Sequence, residues 1–307
     1  MGKIIRIGTR ESQLAVWQAT QVKELLAQNG FDGELVYIKS DGDIDLKTPL
    51  YEMGVQGIFT RSLDMALLTN KIDIAVHSMK DVPTQMAKGI VQAAVLKRAS
   101  YKDLFVYKND ISFLNNTGSP AVIATSSIRR KAQWLNRFPN HTIENLRGNV
   151  NTRLKKVEES NWSGAVFAAA GLERINLRPA NSIELDWMLL APAQGAIIVV
   201  CRDGDVYSLN ACQHFNDVDT ALCTKIERDF LRTLLGGCST PISALAIIKN
   251  SEVHFRGNIL SLDGKEKAGI EKTVPVSESG ELGIYMAHEL LNQGGKEISD
   301  SIHNAAK

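Results

Sequence analysis

The sequence has little of what marks several large protein classes. It holds four cysteines in 307 residues, Cys201, Cys212, Cys223 and Cys238, and none forms a C-x-x-C pair. No histidine cluster completes a zinc pattern, so neither a metal site nor a disulfide framework is expected. No apolar run is long enough to cross a bilayer, and the start, Met1-Gly-Lys-Ile-Ile-Arg6, lacks the apolar core of a secretory signal. The expectation is a cytoplasmic protein with reduced thiols and no membrane partner. Aromatic residues make up 6%, the net charge is +1, and the basic residues form no stripe, which argues against nucleic acid. No G-x-G-x-x-G or G-x-x-x-x-G-K-[ST] loop is present to cradle a nucleotide. No amphipathic seam demands a second copy, so a monomer is expected.

What is present is ordinary globular protein, 44% hydrophobic and 22% charged, at a length that predicts two or three domains. Lys3 to Gly8 reads as a strand and Gln13 to Gln28 as a helix with Ala15, Ala19, Val22, Leu25 and Leu26 on its apolar face. Ser12 can cap that helix, and Gly30 can stop it. Strands follow at Glu34 to Ile38 and Ile72 to Val76, with a helix from Phe59 to Thr69 between them. Ser40 to Phe59 is polar and aperiodic, which marks a lid, a binding loop or disorder. Gly89 to Leu96 and Asp103 to Tyr107 are further strands, and the turn-rich tract Lys108 to Pro120 reads as a separator. The alternation then restarts: strand Ala121 to Ala124, helix Arg129 to Phe138, extended Thr142 to Leu146, helix Val150 to Glu159 and strand Gly164 to Ala168. It predicts mostly parallel, helix-covered sheets. Ala196 to Cys201 reads as a strand that can return to the first sheet. Helix Val218 to Leu235, strands Ile242 to Ile248 and Glu252 to Leu260, and helix Gly280 to Asn292 make a small α+β unit.

The stretch Lys71 to Pro83 organises the rest. An apolar, β-branched strand gives way to His77-Ser-Met-Lys-Asp81, and Val82-Pro83 limits continuation. A base, a cation and a carboxylate thus stand at the carboxyl end of a buried strand, where open α/β sheets bind ligands. Two readings stand here, a solvated ion-pair loop and a ligand site. Arg10, Lys80, Arg129, Arg130, Arg147, Arg153 and Arg174 all follow strands or open helices. Taken singly, Arg153 and Arg174 read as solvated helix faces. Together the seven point to one cleft for a ligand with several carboxylates or phosphates, because guanidinium groups grip such oxygens in pairs. Asp81 among them either pairs with Lys80 or stabilises positive charge on a substrate. Cys238, in Leu235-Gly-Gly-Cys-Ser-Thr-Pro241, has no neighbouring histidine, and by its residues alone it reads as structural.

These pieces, in this order, closely resemble the porphobilinogen deaminase family. The matching segments are Ile7-Gly-Thr-Arg-Glu-Ser12 with Trp17-Gln-Ala19, Gly57-Ile-Phe59, His77-Ser-Met-Lys-Asp-Val-Pro83, Thr125-Ser-Ser-Ile-Arg-Arg130, Leu146-Arg-Gly-Asn-Val150 with Thr152-Arg-Leu154, Ala170-Gly-Leu172 with Arg174, Gln194-Gly-Ala196, and Gly236-Gly-Cys238 with Pro241. The resemblance implies an α/β fold of two lobes like those of type II periplasmic binding proteins, plus a small C-terminal α+β domain. The expected domains are residues 1–98 with 195–213, residues 99–194, and residues 214–307.

The implied activity is stepwise condensation of four porphobilinogen molecules with release of ammonia, on a covalently bound dipyrromethane, then hydrolysis to free hydroxymethylbilane. By match to the family, Cys238 attaches the dipyrromethane through a thioether, in place of the structural reading. Asp81 is the catalytic carboxylate. Lys80, Asp81, Ser126, Ser127, Arg129, Arg130 and Arg153 hold the cofactor, and Arg10, Ser12, Phe59, Arg147, Arg174 and Gln194 hold substrate. The chain departs from the family at Glu52 and Gln56, where many relatives carry lysine, and at Ala193, where glycine is common. The rival expectation is a two-lobed anion-binding or sensing protein, which would leave Cys238 idle and show no turnover.

Overall fold

The computed structural model describes residues 2–39, 60–116, 118–234 and 240–305. The chain opens with β1 (Ile5–Thr9), α1 (Gln13–Gln28), β2 (Gly33–Tyr37), α2 (Arg61–Leu68), β3 (Ile74–Ser78) and β4 (Ile90–Val95). It then enters a second sheet through β5 (Asp103–Tyr107), β6 (Val122–Ala124), α3 (Ile128–Arg137), β7 (Thr142–Glu144), α4 (Val150–Glu159), β8 (Gly164–Ala168), α5 (Ala169–Glu173) and β9 (Ser182–Glu184). Next, β10 (Ile197–Arg202) returns to the first sheet, giving the order β2-β1-β3-β10-β4. β10 is antiparallel to both of its neighbours, while β1 is parallel to β2 and β3.

The second sheet repeats this plan as β7-β6-β8-β5-β9. β6 is parallel to β7 and β8, and β5 runs antiparallel beside β8 and β9. Each sheet therefore has a parallel core, one antiparallel strand that crosses in from the other half, and an edge strand. This is the plan of a type II periplasmic-binding-protein lobe, twice over. Four of the five strands in each sheet run the same way, as expected of mostly parallel sheets, and the one exception is the strand that crosses in from the far lobe. The tract Lys108 to Pro120 joins β5 to β6 inside one sheet and is not a boundary between units.

Alternation along the strands builds the layers. Ile5, Ile7, Ile74, Val76, Ile197 and Val199 face one side, where Ala19, Val22 and Leu26 of α1 cover them. Ala75, Ile198 and Val200 face the other, against Leu63 and Leu67 of α2. The second sheet does the same. Phe105, Ile123 and Val166 pack on Trp134 and Phe138, while Leu104, Val106, Ala165 and Phe167 pack beside Val157 and Leu172. Each such fully buried side chain contributes on the order of 1.5–3 kcal/mol of transfer free energy.

α6 (Val206–Gln213) closes the first lobe, and a third unit follows: α7 (Val218–Thr233), β11 (Ile242–Lys249), β12 (Glu252–Leu260), β13 (Lys267–Pro275), α8 (Leu282–Leu290) and α9 (Lys296–Ala305). Its antiparallel sheet β11-β12-β13 is covered by the helices, and Phe230 of α7 meets Phe255 of β12 edge to face at 5.1 Å. The protein is thus a mixed α/β molecule of two such lobes and a small C-terminal α+β unit.

Two chain segments cross between the lobes and touch. Ala99 donates to the Gly195 carbonyl at 3.1 Å, and Arg98 Nε donates to the Gln194 carbonyl at 2.8 Å. Gly195 has φ +86°, and a Cβ there would lie 2.7 Å from the Ser100 carbonyl oxygen, so the crossing demands glycine. Glu227 of α7 is fully buried beneath the crossing. It binds Arg98 through both oxygens at 2.6 and 3.0 Å, and accepts from the amides of Ala193 at 2.6 Å and Ala246 at 2.8 Å. One carboxylate thus joins both crossings to the third unit. Ala193 takes φ +62°, the left-handed conformation that explains why glycine suits this position better.

Candidate active site

The carboxyl ends of the parallel strands carry the residues singled out in the sequence. β3 runs two residues further than the apolar pattern implies, because His77 and Ser78 pair with Ile198 and Ile197 of β10. The 3₁₀ turn Met79–Asp81 follows, so Lys80 and Asp81 leave the strand end together. Ser127 caps α3 by accepting from the Arg130 amide at 3.4 Å, which sets Arg129 and Arg130 in the first turn. The Ser126 hydroxyl accepts from the Leu146 amide at 3.0 Å and also bonds the Leu146 carbonyl and Asn145, tying the α3 start to the loop that bears Arg147. Asn149 caps α4, and Arg153 Nε donates to the Gly148 carbonyl at 2.6 Å.

A carboxylate that the sequence reading passed over holds this cluster together. Asp103 opens β5, fully buried, and accepts from Arg129 at 2.8 Å, Arg130 at 2.6 Å and the Gln194 amide at 2.9 Å. Gln194 in turn accepts from Lys80 at 3.2 Å. A chain of contacts thus runs from the end of β3 through the crossing segment to the start of α3. An aspartate abutting the apolar run Leu104-Phe-Val106, in a chain of clustered arginines, was the available signal.

The electrostatics are those of a cluster with too much positive charge. Among the described residues, Lys80, Arg129, Arg130 and Arg153 face Asp81 and Asp103, with Arg147 beside Arg153, five cations to two carboxylates. Burial, and then the Arg130 charge, push the Lys80 ammonium down to about 8. Burial followed by Arg130 and Arg147 brings Arg153 down to about 10, and burial lowers Arg129. Burial works to raise Asp103, yet Arg129 and Arg130 hold its carboxyl well below the usual carboxylate range. The Nε groups of Arg129 and Arg130 are buried with no hydrogen-bond partner among the described residues. Unused donors in a positive cluster fit the acetate and propionate groups of a pyrrole chain.

The other expected residues make contacts of their own. Ser12 caps α1, accepting from the Ala15 amide at 3.4 Å. Arg174 donates to the Gly195 carbonyl at 2.7 Å and lies over the Trp17 ring at 5.7 Å, and burial lowers its guanidinium to about 10. Arg10 lies near enough to His77 to add to the burial that takes the imidazole down to about 4. His77 is therefore a neutral, buried residue inside β3, which corrects its placement in the polar stretch after the strand. It lines a cavity of about 20 Å³ with Thr60, Asp64, Val82, Pro83, Met86 and Ile90. Cys238 and Phe59, like Glu52 and Gln56, lie outside the described residues. Cys201, Cys212 and Cys223 are buried free thiols whose burial raises them to between about 11 and about 12, as inert core cysteines behave. Among the described residues no helix is long and apolar enough to cross a membrane, and no group of His, Cys, Asp and Glu could hold a metal.

Comparison with known proteins adds independent findings. The family model "Porphobilinogen deaminase, dipyromethane cofactor binding domain" matches residues 5–210, and "Porphobilinogen deaminase, C-terminal domain" matches residues 221–292. The chain is 38% identical over 306 residues to a porphobilinogen deaminase of Chloroherpeton thalassium, covering 97% of each. It is 38% identical over 307 residues to that of Chlorobium phaeobacteroides, again covering 97% of each. Among solved structures it is similar to the methionine-binding protein MetQ, with 16% identity, a TM-score of 0.42, and 68% of this chain and 90% of that one covered. It is also similar to the VFT2 domain of Bordetella pertussis BvgS, with 11% identity, a TM-score of 0.42, and 71% and 89% covered. With both family models spanning most of its length and relatives matched almost end to end, the chain belongs to the porphobilinogen deaminase family.

Proposed function

We propose that this chain is a transferase that condenses four porphobilinogen molecules head to tail, releasing ammonia each time, and then hydrolyses the product to hydroxymethylbilane, a step of tetrapyrrole and haem biosynthesis. The observation that carries this reading is the surplus of buried cations around Asp81 and Asp103, with unused donors on Arg129 and Arg130. Porphobilinogen bears two carboxylates, so a growing chain needs such a surplus and needs no phosphate loop. Cys238 would hold the dipyrromethane through a thioether, and that group would supply a nucleophilic pyrrole carbon.

The remaining roles belong to side chains. Lys80, Ser126, Ser127, Arg129, Arg130 and Arg153 hold acidic groups of the cofactor. Arg10, Ser12, Phe59, Arg147, Arg174 and Gln194 receive the incoming porphobilinogen. The Asp81 carboxylate stabilises positive charge that develops on the substrate as its amine leaves. It also offers an oxygen to pyrrole N–H donors. Gln194 orients Lys80 from one side and Asp103 from the other. We assign residues 1–98 with 195–213 to the first lobe, 99–194 to the second and 214–307 to the third domain. The protein works as a cytoplasmic monomer.

The test is the intact mass of the purified protein under denaturing conditions. An excess equal to two linked pyrroles, mapped to the peptide that holds Cys238, supports the reading. A bare chain that gains no mass and makes no product when given porphobilinogen overturns it in favour of an anion-binding protein.

A further inference from the structure

We infer that Arg228, on the helix of the third unit, is a positioning residue that sets the turn carrying Asp81. The inference rests on the function proposed above for Asp81, but the clamp itself is read from geometry. Arg228 follows Glu227 directly on α7 and is half-buried. Its guanidinium donates to three carbonyls of one turn: Met79 at 3.3 Å, Val82 at 2.8 Å and Pro83 at 2.6 Å. These flank Lys80 and Asp81 on both sides. The planar fork of an arginine suits several oxygens at fixed spacing, which a lysine ammonium matches poorly.

Other ties are local to the first lobe and the crossing segment, where the Lys80 ammonium donates to Gln194 at 3.2 Å. Met79 donates its amide to the Ala196 carbonyl at 3.0 Å, Val82 donates to Met79 at 3.2 Å, and Pro83 has no N–H to give. Met79 and Val82 bury their side chains, which leaves Lys80 and Asp81 turned toward the cations. Part of the anchoring of Asp81 thus comes from a different structural unit than the strand that bears it. Loss of the fork takes this donor from the Val82 and Pro83 carbonyls and leaves the Met79 carbonyl only the Val82 amide, and the carboxylate shifts relative to the arginines that hold substrate. A displacement near 1 Å costs about 100-fold in rate when it misplaces a catalytic group. Asp81 acts on charge that develops during reaction, so kcat suffers and KM does not.

The experiment compares Arg228→Met and Arg228→Lys with the parent, all loaded with cofactor as checked by intact mass. Arg232→Met serves as a control on the same helix, since Arg232 is half-exposed and pairs only with Asp229 among the described residues. Steady-state kinetics with porphobilinogen and hydrogen–deuterium exchange of the peptide spanning Met79 to Met86 are read together. Arg228→Met is expected to lose between about 10-fold and 100-fold in kcat with KM within threefold, and to exchange at least fivefold faster in that peptide. Arg228→Lys should fall between it and the parent, and Arg232→Met should match the parent. If Arg228→Met does not fold, the lysine variant decides, and parental kcat and exchange in it overturn the inference. So does unchanged exchange in Arg228→Met. A parent that makes no product from porphobilinogen refutes the proposed function alone, because the exchange data still decide whether the clamp exists.

Discussion

Asp103→Asn is the perturbation that probes the cation cluster most directly, since it removes one charge and almost no volume. Asp103 is fully buried and binds Arg129 at 2.8 Å, Arg130 at 2.6 Å and Gln194 at 2.9 Å. Breaking a buried pair by removing one partner costs about 3–5 kcal/mol. The lower end applies, because Arg129 keeps the Leu189 carbonyl at 2.7 Å and Arg130 keeps that of Val166 at 3.0 Å. A loss of about 3 kcal/mol lowers Tm by roughly 6–12 °C for a domain of this size. Thermal unfolding should be followed at pH 7 in two backgrounds, the cofactor-loaded chain and a Cys238→Ala chain that cannot attach it. The loss should be larger in the Cys238→Ala chain, where no bound carboxylates replace the missing one. A shift below about 2 °C in both backgrounds, against the size expected for a buried pair, refutes the reasoning.

Asp81→Asn should keep the fold and the cofactor mass yet lose at least about 100-fold in turnover, as removal of a transition-state charge stabiliser does; near-parental product formation would remove its assigned role. Lys80 sits at about 8 when folded against 10.5 as an ordinary lysine. Between those values the unfolded chain holds the extra proton, so this group makes stability rise with pH there. Anion binding has the opposite sense. Affinity of the Cys238→Ala chain for a tricarboxylate should fall about tenfold from pH 7 to 9, and calorimetry should find no such slope in Lys80→Met. His77 sits at about 4 against an ordinary 6.5. Its unfolded form takes up the proton first, so stability falls as pH drops from 6.5 toward 4, by up to about 3 kcal/mol. Denaturant titrations of His77→Gln should show that acid slope flattened.

Much of this was legible because single periodicities ruled long stretches. Val150–Glu159, Gly164–Ala168 and Gln13–Gln28 stand in the structure with the limits their patterns imply. The return of Ala196 to Cys201 to the first sheet was also legible, since its run is apolar on both faces. Unassigned by pattern were α5, α6, β9, β13 and α9. β13 alternates Lys267, Glu271 and Lys272 with few apolar residues, because it is an edge strand with one wet face. Asp103 was not legible as part of the site, for its meaning comes from Arg129, Arg130 and Gln194, which approach it only through tertiary contacts. His77 was placed after the strand because the polar run starts there, but pairing with β10 carries the strand through it. The second case shows strand pairing overriding a local polarity change.

The insertion of β10 between β3 and β4 also orders the birth of the molecule. β3 and β4 lie on either side of β10 and do not pair with each other, so the first sheet stays split until residue 202 has been synthesised. All five strands of the second sheet fall between Asp103 and Glu184 and are complete before then. During translation the later-coded sheet is thus the first able to close, while Ile74 to Ser78 and Ile90 to Val95 wait with open, apolar edges. A nascent chain halted between residues 184 and 197 should be the form most in need of a chaperone.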